Sequence, residues 1–227
     1  MAEGSTSILE AELYSEPEAA RLLGLPTSTL HYWLHGAKRG RNTYQPVLRP
    51  EPIDRRWVSW AEFIEAGWLS AYRRGKNVPM VELRSFISDL RDRAGVPYPL
   101  AHFQPLTSGR NLVVEAQEAS KLDPNYRLVL FVDDQYLLSY AGVRFMDQVV
   151  WRGDLAAGWK PAGPDSPVTV APDVRFGRPA IKGVSTASLF EQSESGASLE
   201  ELAEDFGLTA TDVHWALAYE NERHAVA

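Results

Sequence analysis

Two histidines four residues apart, His31 and His35, lie in a segment whose apolar residues Leu30, Trp33 and Leu34 fall on one helical face. Imidazoles at that spacing project from the same side of a helix, where they can share a zinc ion or face a polyanion. A zinc protease pattern would place Glu directly after the first His, and Tyr32 stands there instead; the sequence identifies no third ligand. The pair is therefore read as outward, facing nucleic acid, ahead of metal. Other reactive arrangements fail on geometry. Asp133 and Asp134 are adjacent, so on a strand they point to opposite faces and cannot share a proton; they read as a turn. Gly183, Val184 and Ser185 open like a nucleophile elbow, but Ala187 occupies the place of the second glycine. The absence of Cys removes thiol nucleophiles, disulfides, iron-sulfur clusters and Cys-ligated zinc. With no Walker loop and no dinucleotide glycine fingerprint, the chain is expected to be no enzyme and to need no cofactor and no metal.

The histidines sit in a helical pair. Ser15 and Glu18 form a capping-box pattern ahead of Ala19, Ala20, Leu22 and Leu23, and Gly24 ends that helix. Thr27 or Ser28 then caps a second helix that turns Ser28, Thr29, His31, Tyr32 and His35 outward and stops at Gly36. Two short helices across a glycine turn make the helix-turn-helix pattern. Lys38 to Asp54, rich in Gly, Pro, Arg and Asn, reads as an irregular hairpin or wing. In this arrangement Ser28, Thr29, His31 and Tyr32 are candidates for base contacts, and Lys38, Arg39, Arg41 and Arg56 for phosphates or the minor groove. Packing beneath the wing is the competing role for Tyr32.

Charge supports that polarity. The 227 residues carry a net charge of −7, yet His31 to Lys76 holds nine basic residues against four acidic ones, whereas Glu191 to Glu222 holds nine acidic residues and no Lys or Arg. A polyanion is drawn to the first segment and repelled by the last, unless both are simply solvated faces of opposite sign. Composition is that of a globular protein, with 44% hydrophobic residues and 11% aromatic. Met1 to Tyr14 lacks the pattern of a signal peptide and no apolar run approaches spanning length, so a soluble, cytoplasmic protein is expected.

Downstream, Ser59 and Glu62 form another capping box before Phe63, Ile64, Trp68, Leu69 and Tyr72, and Pro79 opens a helix with the stripe Met80, Leu83, Ile87 and Leu90, a candidate dimer interface. Leu112 to Val114 is read as part of a hairpin, Leu128 to Val132 and Val149 to Trp151 as strands, and Tyr136 to Tyr140 as a helical piece. Pro161 to Pro167 reads as a linker, and Val168 to Val170 as a strand ahead of a turn at Arg175 to Pro179. Near the end, Ser198 and Glu201 cap a helix that stops at Gly207, and a second runs from about Ala210 to Tyr219. This pair repeats the first at an offset of 183: Ser15 with Ser198, Glu18 with Glu201, Gly24 with Gly207, His31 with His214, Leu34 with Leu217. Caps and inward residues match, but the outward ones do not, since Lys38, Arg39 and Arg41 follow the first pair and Glu220 and Glu222 the second. The repeat implies a shared local fold with a nucleic-acid contact first and a protein contact last.

The stretch from Tyr14 to Arg74 resembles the winged helix-turn-helix of MerR-type regulators: Thr29, Leu30, His31 and Tyr32 stand where that family has Thr-Leu-Arg-Tyr, and Arg56 and Trp57 where its wing ends in Arg-Tyr. Val168 to Glu220 resembles a small domain of VapB-type antitoxins. The residues that carry this likeness are Val170, Pro172, Asp173, Phe176, Gly177, Arg178, Pro179, Ile181, Lys182 and Gly183, followed by Ala218, Tyr219 and Glu220. Such domains accompany toxins of the PIN-type ribonuclease fold. The resemblance implies an antitoxin that neutralises a PIN-type toxin and binds operator DNA, with Arg178, Lys182, Trp215 and Tyr219 as toxin contacts. The rival expectation is a small-molecule-responsive regulator without a toxin, its effector held by the middle region.

The expected fold is therefore α+β: a winged helix-turn-helix over residues 1–95, a β-rich connection over 96–165, and a strand pair with a second helix-turn-helix over 166–227. Reading paired half-sites calls for a homodimer.

Overall fold

The computed structural model describes residues 8–132 and 134–225. The chain is of mixed α and β structure, its strands arranged as small antiparallel pairs. It divides into two compact units, one of Met1–Asp147 with Trp151–Ala156, the other of Gln148–Val150 with Ala157–Ala227.

In the first unit, β1 (Glu12–Ser15) hands directly to α1 (Glu16–Leu22), because Ser15 ends the strand and its hydroxyl accepts the Glu18 N–H at 3.4 Å. Gly24 turns the chain with φ +60° into α2 (Thr27–His35), whose Leu30, Trp33 and Leu34 are buried. After Gly36 come β2 (Ala37–Arg39) and β3 (Asn42–Tyr44), an antiparallel hairpin with Ala37 opposite Tyr44. β4 (Trp57–Ser59) returns to pair with β1, and Ser59 starts α3 (Trp60–Lys76) with both arms of its capping box made to Glu62. α4 (Met80–Ala94) follows. Trp33, Trp60, Trp68, Tyr14 and Phe63 are all within 1% of complete burial; Phe63 stacks on Trp60 with ring centroids 5.3 Å apart, and the Trp60 indole N–H donates to Ala156 O at 2.7 Å.

The stripe on α4 is not free to dimerise. Leu83, Phe86, Ile87 and Leu90 are buried within this unit, where α4 packs on α6 (Arg110–Ala119), the helix that follows α5 (Pro99–His102), and where Phe86 meets the Tyr72 ring edge-on. Helix α6 also replaces the hairpin expected at Leu112 to Val114. Gly109 precedes it, Val113 and Ala116 bury at helical spacing, and the buried Gln117 amide accepts the N–H groups of Leu128 and Val129 and donates to Val129 O. A run of three apolar residues cannot distinguish strand from helix, and here the tertiary partner decides. Tyr136 to Tyr140, expected to be a helical piece, is mostly extended. β5 (Val129–Val132) pairs with β6 (Gln135–Leu138) around a turn that includes Asp134 at φ +61°, and only then does Ser139 cap α7 (Tyr140–Met146). Asp133 lies outside the described residues.

Charges are buried beside the aromatic core. Glu65 is fully buried and accepts Leu100 N–H at 3.1 Å through one oxygen; the other has no hydrogen-bond partner, and the Arg91 guanidinium is 4.0 Å away. Burial pushes this carboxyl up to about 7, with Arg91 opposing. A raised acid pKa means that the folded state holds its proton more tightly than the unfolded one, so stability falls as pH rises from about 4.5 through 7. Glu65→Gln is accordingly expected to raise the midpoint of thermal unfolding above pH 7 and to leave it unchanged below pH 4.5; a melting curve at each pH checks this, and equal effects at both would contradict it.

The second unit is built on β7 (Val149–Arg152) and β8 (Leu155–Trp159), of which residues 151–156 belong to the first unit. Trp159 exchanges both backbone hydrogen bonds with Val170 at 2.8 Å, and Thr169 bridges Ala180 at the start of β9 (Ala180–Ile181), which pairs with β10 (Val184–Ser185). The segment 161–167 turns back so that Lys160 Nζ reaches Pro164 O. Three helices close the unit: α8 (Thr186–Glu194), which the sequence reading did not anticipate, α9 (Leu199–Phe206) and α10 (Ala210–Ala225). Val168, Ile181, Leu189, Leu202, Val213 and Ala216 form its core.

The internal repeat holds in backbone detail. α1 and α9 start at the same offset, as do α2 and α10; Gly24 and Gly207 have φ +60° and +63°; and the bond from Leu25 N to Ala20 O recurs from Leu208 N to Ala203 O. The Ser198–Glu201 box closes in both directions.

Candidate functional site

In the first unit the predicted contact residues gather around α2 and the β2–β3 hairpin. Ser28 and His31 are exposed on the helix, and Thr29 and Tyr32 half-buried beside them. Lys38 and Arg41 are exposed on the hairpin, and Arg56 just before β4; the side chain of Arg39 lies outside what the structure describes. Tyr32 takes up the packing role. Arg84 of α4 donates to its hydroxyl and lies over its ring at 5.1 Å, while also covering the Tyr44 ring of the hairpin at 5.8 Å and donating to Gln45 O at 3.1 Å. Tyr32 therefore helps to fix the hairpin, and Arg84, which sequence reasoning missed, adds a cation to this face. Its only sequence signal was an Arg at the edge of the apolar stripe of α4, four residues after Met80.

Not every cation of the basic segment is available to a partner. Arg49 is fully buried, bonded to Glu62 Oε1 at 2.8 Å and to Trp57 O at 3.1 Å. Arg55 pairs with Glu62 and with Glu12, and Arg74 donates to Gly24 O. Counting residues along the chain overstated the exposed positive charge for that reason. His35 is also less outward than expected, with its side chain 23% exposed. Glu16, the first residue of α1, joins both histidines: His35 Nε2 lies 2.7 Å from Oε1 and His31 Nδ1 2.8 Å from Oε2. Burial raises the Glu16 pKa, but the hydrogen bonds to His35 and His31 prevail and hold it below the usual carboxylate range.

The second unit presents a different surface. Arg175, Phe176 and Gly177 have φ of 49°, 54° and 74°, three successive left-handed residues of which two carry side chains. Each such side-chain-bearing residue costs of order 1 kcal/mol. The turn is held by Gly177 N–H on Ala171 O and Val174 O, and by Arg175 Nε on Gly183 O at 2.8 Å. Its product is a Phe176 ring that is 84% exposed. Arg178 is exposed on the same turn. Lys182 pairs with Asp212 at 2.7 Å, and hydrogen bonds from Lys182 and from Thr209 pull the Asp212 carboxyl down to about 2. Trp215 is half-buried against the core and Tyr219 is buried within it under Arg223, so Tyr219 can only support a contact face. Glu220, expected outward, is buried and takes the Thr186 hydroxyl. Glu191, Glu194, Glu200, Glu201, Glu204 and Asp205 remain exposed and make the acidic face. Sequence reasoning placed Phe176 in a motif but gave it no role, because its exposure follows from the left-handed turn and not from its type.

One unit thus carries a basic face around a helix and hairpin, and the other an acidic face and a projecting aromatic ring. The chain belongs to the family of the uncharacterized protein Rv2308 of Mycobacterium tuberculosis, with which it shares 32% identity over 223 residues, 94% of this chain and 92% of the relative. It is also similar to a protein of the same organism named "Putative antitoxin VapB45", 26% identical over 92% of this chain and 93% of the relative. Residues 168–219 match the family described as "Protein of unknown function (DUF433)". The crystal structure of Rv2018 from M. tuberculosis superposes with a TM-score of 0.72 at 25% identity, covering 92% of this chain and 99% of that one. Among the described residues no helix is long and apolar enough to cross a membrane.

Proposed function

We propose that the chain is the antitoxin of a toxin-antitoxin pair, that it neutralises a ribonuclease toxin of PIN type by direct binding, and that it binds operator DNA through a MerR-like winged helix-turn-helix. It acts by binding and catalyses nothing. The observation that carries this reading is the similarity along 92% of the chain to a relative that bears an antitoxin name. The separation of charge supports the division of labour: phosphates are attracted by Lys38, Arg41, Arg56 and Arg84 and repelled by the carboxylates of α8 and α9. The test is growth of cells that express the reading frame beside this gene, with and without this chain. Rescue supports the proposal, and continued arrest in the presence of folded protein rejects it.

Two predictions follow from the surfaces. Phe176→Ala is expected to weaken the toxin complex about tenfold or more, as loss of a projecting aromatic anchor does, while thermal stability stays level or rises. A titration of the variant against the toxin measures this, and undiminished affinity removes Phe176 from the interface. On DNA, Arg41→Ala and Arg56→Ala are each expected to weaken binding to all sequences and to lower the slope of log K against log salt by about one, whereas Thr29→Ala changes sequence preference. A salt-independent affinity would contradict the electrostatic part of the proposal.

One observation favours a second reading, a ligand-responsive regulator without a toxin. A cleft of about 320 Å³ lies not in the middle region, where the effector was expected, but between the start of α2 and the end of α3, lined by Leu25, Pro26, Thr29, Trp33, Arg73 and Arg74 among others. A small anion with an apolar body would suit it, and stabilisation of the isolated protein by such a compound would support this alternative.

A further inference from the structure

We propose that Glu16, His31 and His35 form a binding site for a divalent transition-metal ion of zinc type, which ties the first turn of α1 to the outward face of α2. The sequence shows the two histidines but hides the third ligand, which stands 15 residues earlier. The fold brings it into place: Ser15 caps α1 so that Glu16 opens the helix, and the turn at Gly24 lays α2 across it.

The donor set fits the ion. Two imidazole nitrogens and one carboxylate suit zinc, cobalt or nickel, whereas calcium and magnesium require mostly oxygen ligands. One ligand atom from each residue lies within 4.8 Å of the others. The contacts of 2.7 and 2.8 Å from Glu16 are hydrogen-bond distances. Ligand atoms around a tetrahedral zinc lie about 3.3 Å apart, so as the metal displaces the shared protons the carboxylate must withdraw by roughly half an ångström, and the widest pair of ligand atoms, within 4.8 Å, must close by up to about 1.5 Å. Side-chain rotation at Glu16 and at the exposed His31 supplies adjustments of that size. The His31 side chain is 60% exposed, which leaves the fourth position to water. Arg49 lies against the site, its Nη1 3.5 Å from both ring nitrogens of His35, and its charge is already compensated by Glu62.

The internal repeat provides a comparison within the molecule. At the same offset the second helical pair carries Leu199 in place of Glu16, His214 in place of His31 and Ala218 in place of His35. Packing of the two helices thus does not require the trio, since the second pair keeps the caps, the turn and the inward face without it. The trio belongs to the first pair alone, on the side where Ser28 lies. A bound dication would add positive charge to that face; this consequence rests on the DNA-binding proposal, while the metal site itself does not.

The test uses the full chain without a histidine tag. Calorimetric titration with zinc chloride is expected to show one ion per chain with micromolar or tighter affinity, undisturbed by excess magnesium or calcium. Cobalt is expected to give the visible absorption of a four-coordinate ion. Glu16→Gln and His31→Ala should each weaken zinc binding about tenfold or more, with circular dichroism reporting that the fold is retained, and His214→Ala should have no effect. Absence of zinc binding by the unaltered chain would overturn the proposal, and so would binding that survives in the Glu16→Gln, His31→Ala double variant or disappears in His214→Ala. None of these readouts depends on DNA or on a toxin, so failure here leaves the proposed function standing, and failure of that function leaves the site.

Discussion

Glu62→Ala is expected to destabilise the first unit by about 3–5 kcal/mol, the range for stripping one partner from a buried ion pair. Glu62 and Arg49 are both fully buried. Around the Glu62 carboxylate converge the guanidiniums of Arg49 and Arg55, the Tyr98 hydroxyl at 3.0 Å and the Ser59 N–H at 2.9 Å. Burial raises the Glu62 pKa, but the bonds from Arg49 and Ser59 and the charges of Arg49 and Arg55 outweigh it and keep the carboxyl low. Its contribution is therefore present above the unfolded carboxylate range and is lost as pH falls through the lower folded value. The deletion strands the Arg49 charge in the core and opens the start of α3, since Glu62 is also the second half of the capping box. Denaturant titration at neutral pH measures the loss, and a change below about 1 kcal/mol would mean that water reaches the pair. Arg49 also donates to the carbonyls of Ile53, Arg55 and Trp57, so the segment that leads from the hairpin to β4 depends on the same charge.

The second large effect is expected at Gly36. It ends α2 at φ +72°, ψ −160°, a region open in practice only to glycine, and a Cβ there would lie 2.1 Å from Tyr44 O and 3.0 Å from Gln45 C and Pro46 N. All three are backbone atoms at the end of the hairpin and in the two residues after it, which must move to admit a methyl group. Gly36→Ala is expected to cost about 3 kcal/mol or more and to displace the hairpin from Tyr32 and Arg84. Gly40→Ala is the control: it has φ +60°, but nothing lies within 4 Å of the added atom, so only the backbone term of about 1 kcal/mol applies. Equal losses at the two positions would contradict the steric argument.

Legibility in the sequence follows the physics of each element. Helix starts were readable wherever a Ser faced a Glu three residues on, because the cap is a local bond: Ser15, Ser59 and Ser198 all cap as expected. Helix α6 was misread because its partners lie beyond it in the chain, Gln117 bonding across to Leu128 and Val129, and strand β6 because the turn that pairs Phe131 with Tyr136 rests on Asp134 in a left-handed conformation that its residue type does not announce. At the candidate sites the residue types on α2 were visible but their neighbours were not. Glu16 beneath the histidines, Arg84 between two tyrosines and the burial of Arg49 depend on approaches of 14 to 52 residues along the chain. Exposure of Phe176 was hidden for the opposite reason, since it arises from backbone dihedrals that no residue type in the turn demands.

The central claim is that this chain forms a complex with a toxin. The most direct measurement is co-expression of the full chain, tagged, with the neighbouring reading frame untagged, followed by capture and washing in high salt. Retention of the neighbour in stoichiometric amount, lost on Phe176→Ala, is the predicted result, because an aromatic anchor resists salt where a contact between charged faces does not. A neighbour that washes away while the captured chain is folded and binds DNA would contradict the account.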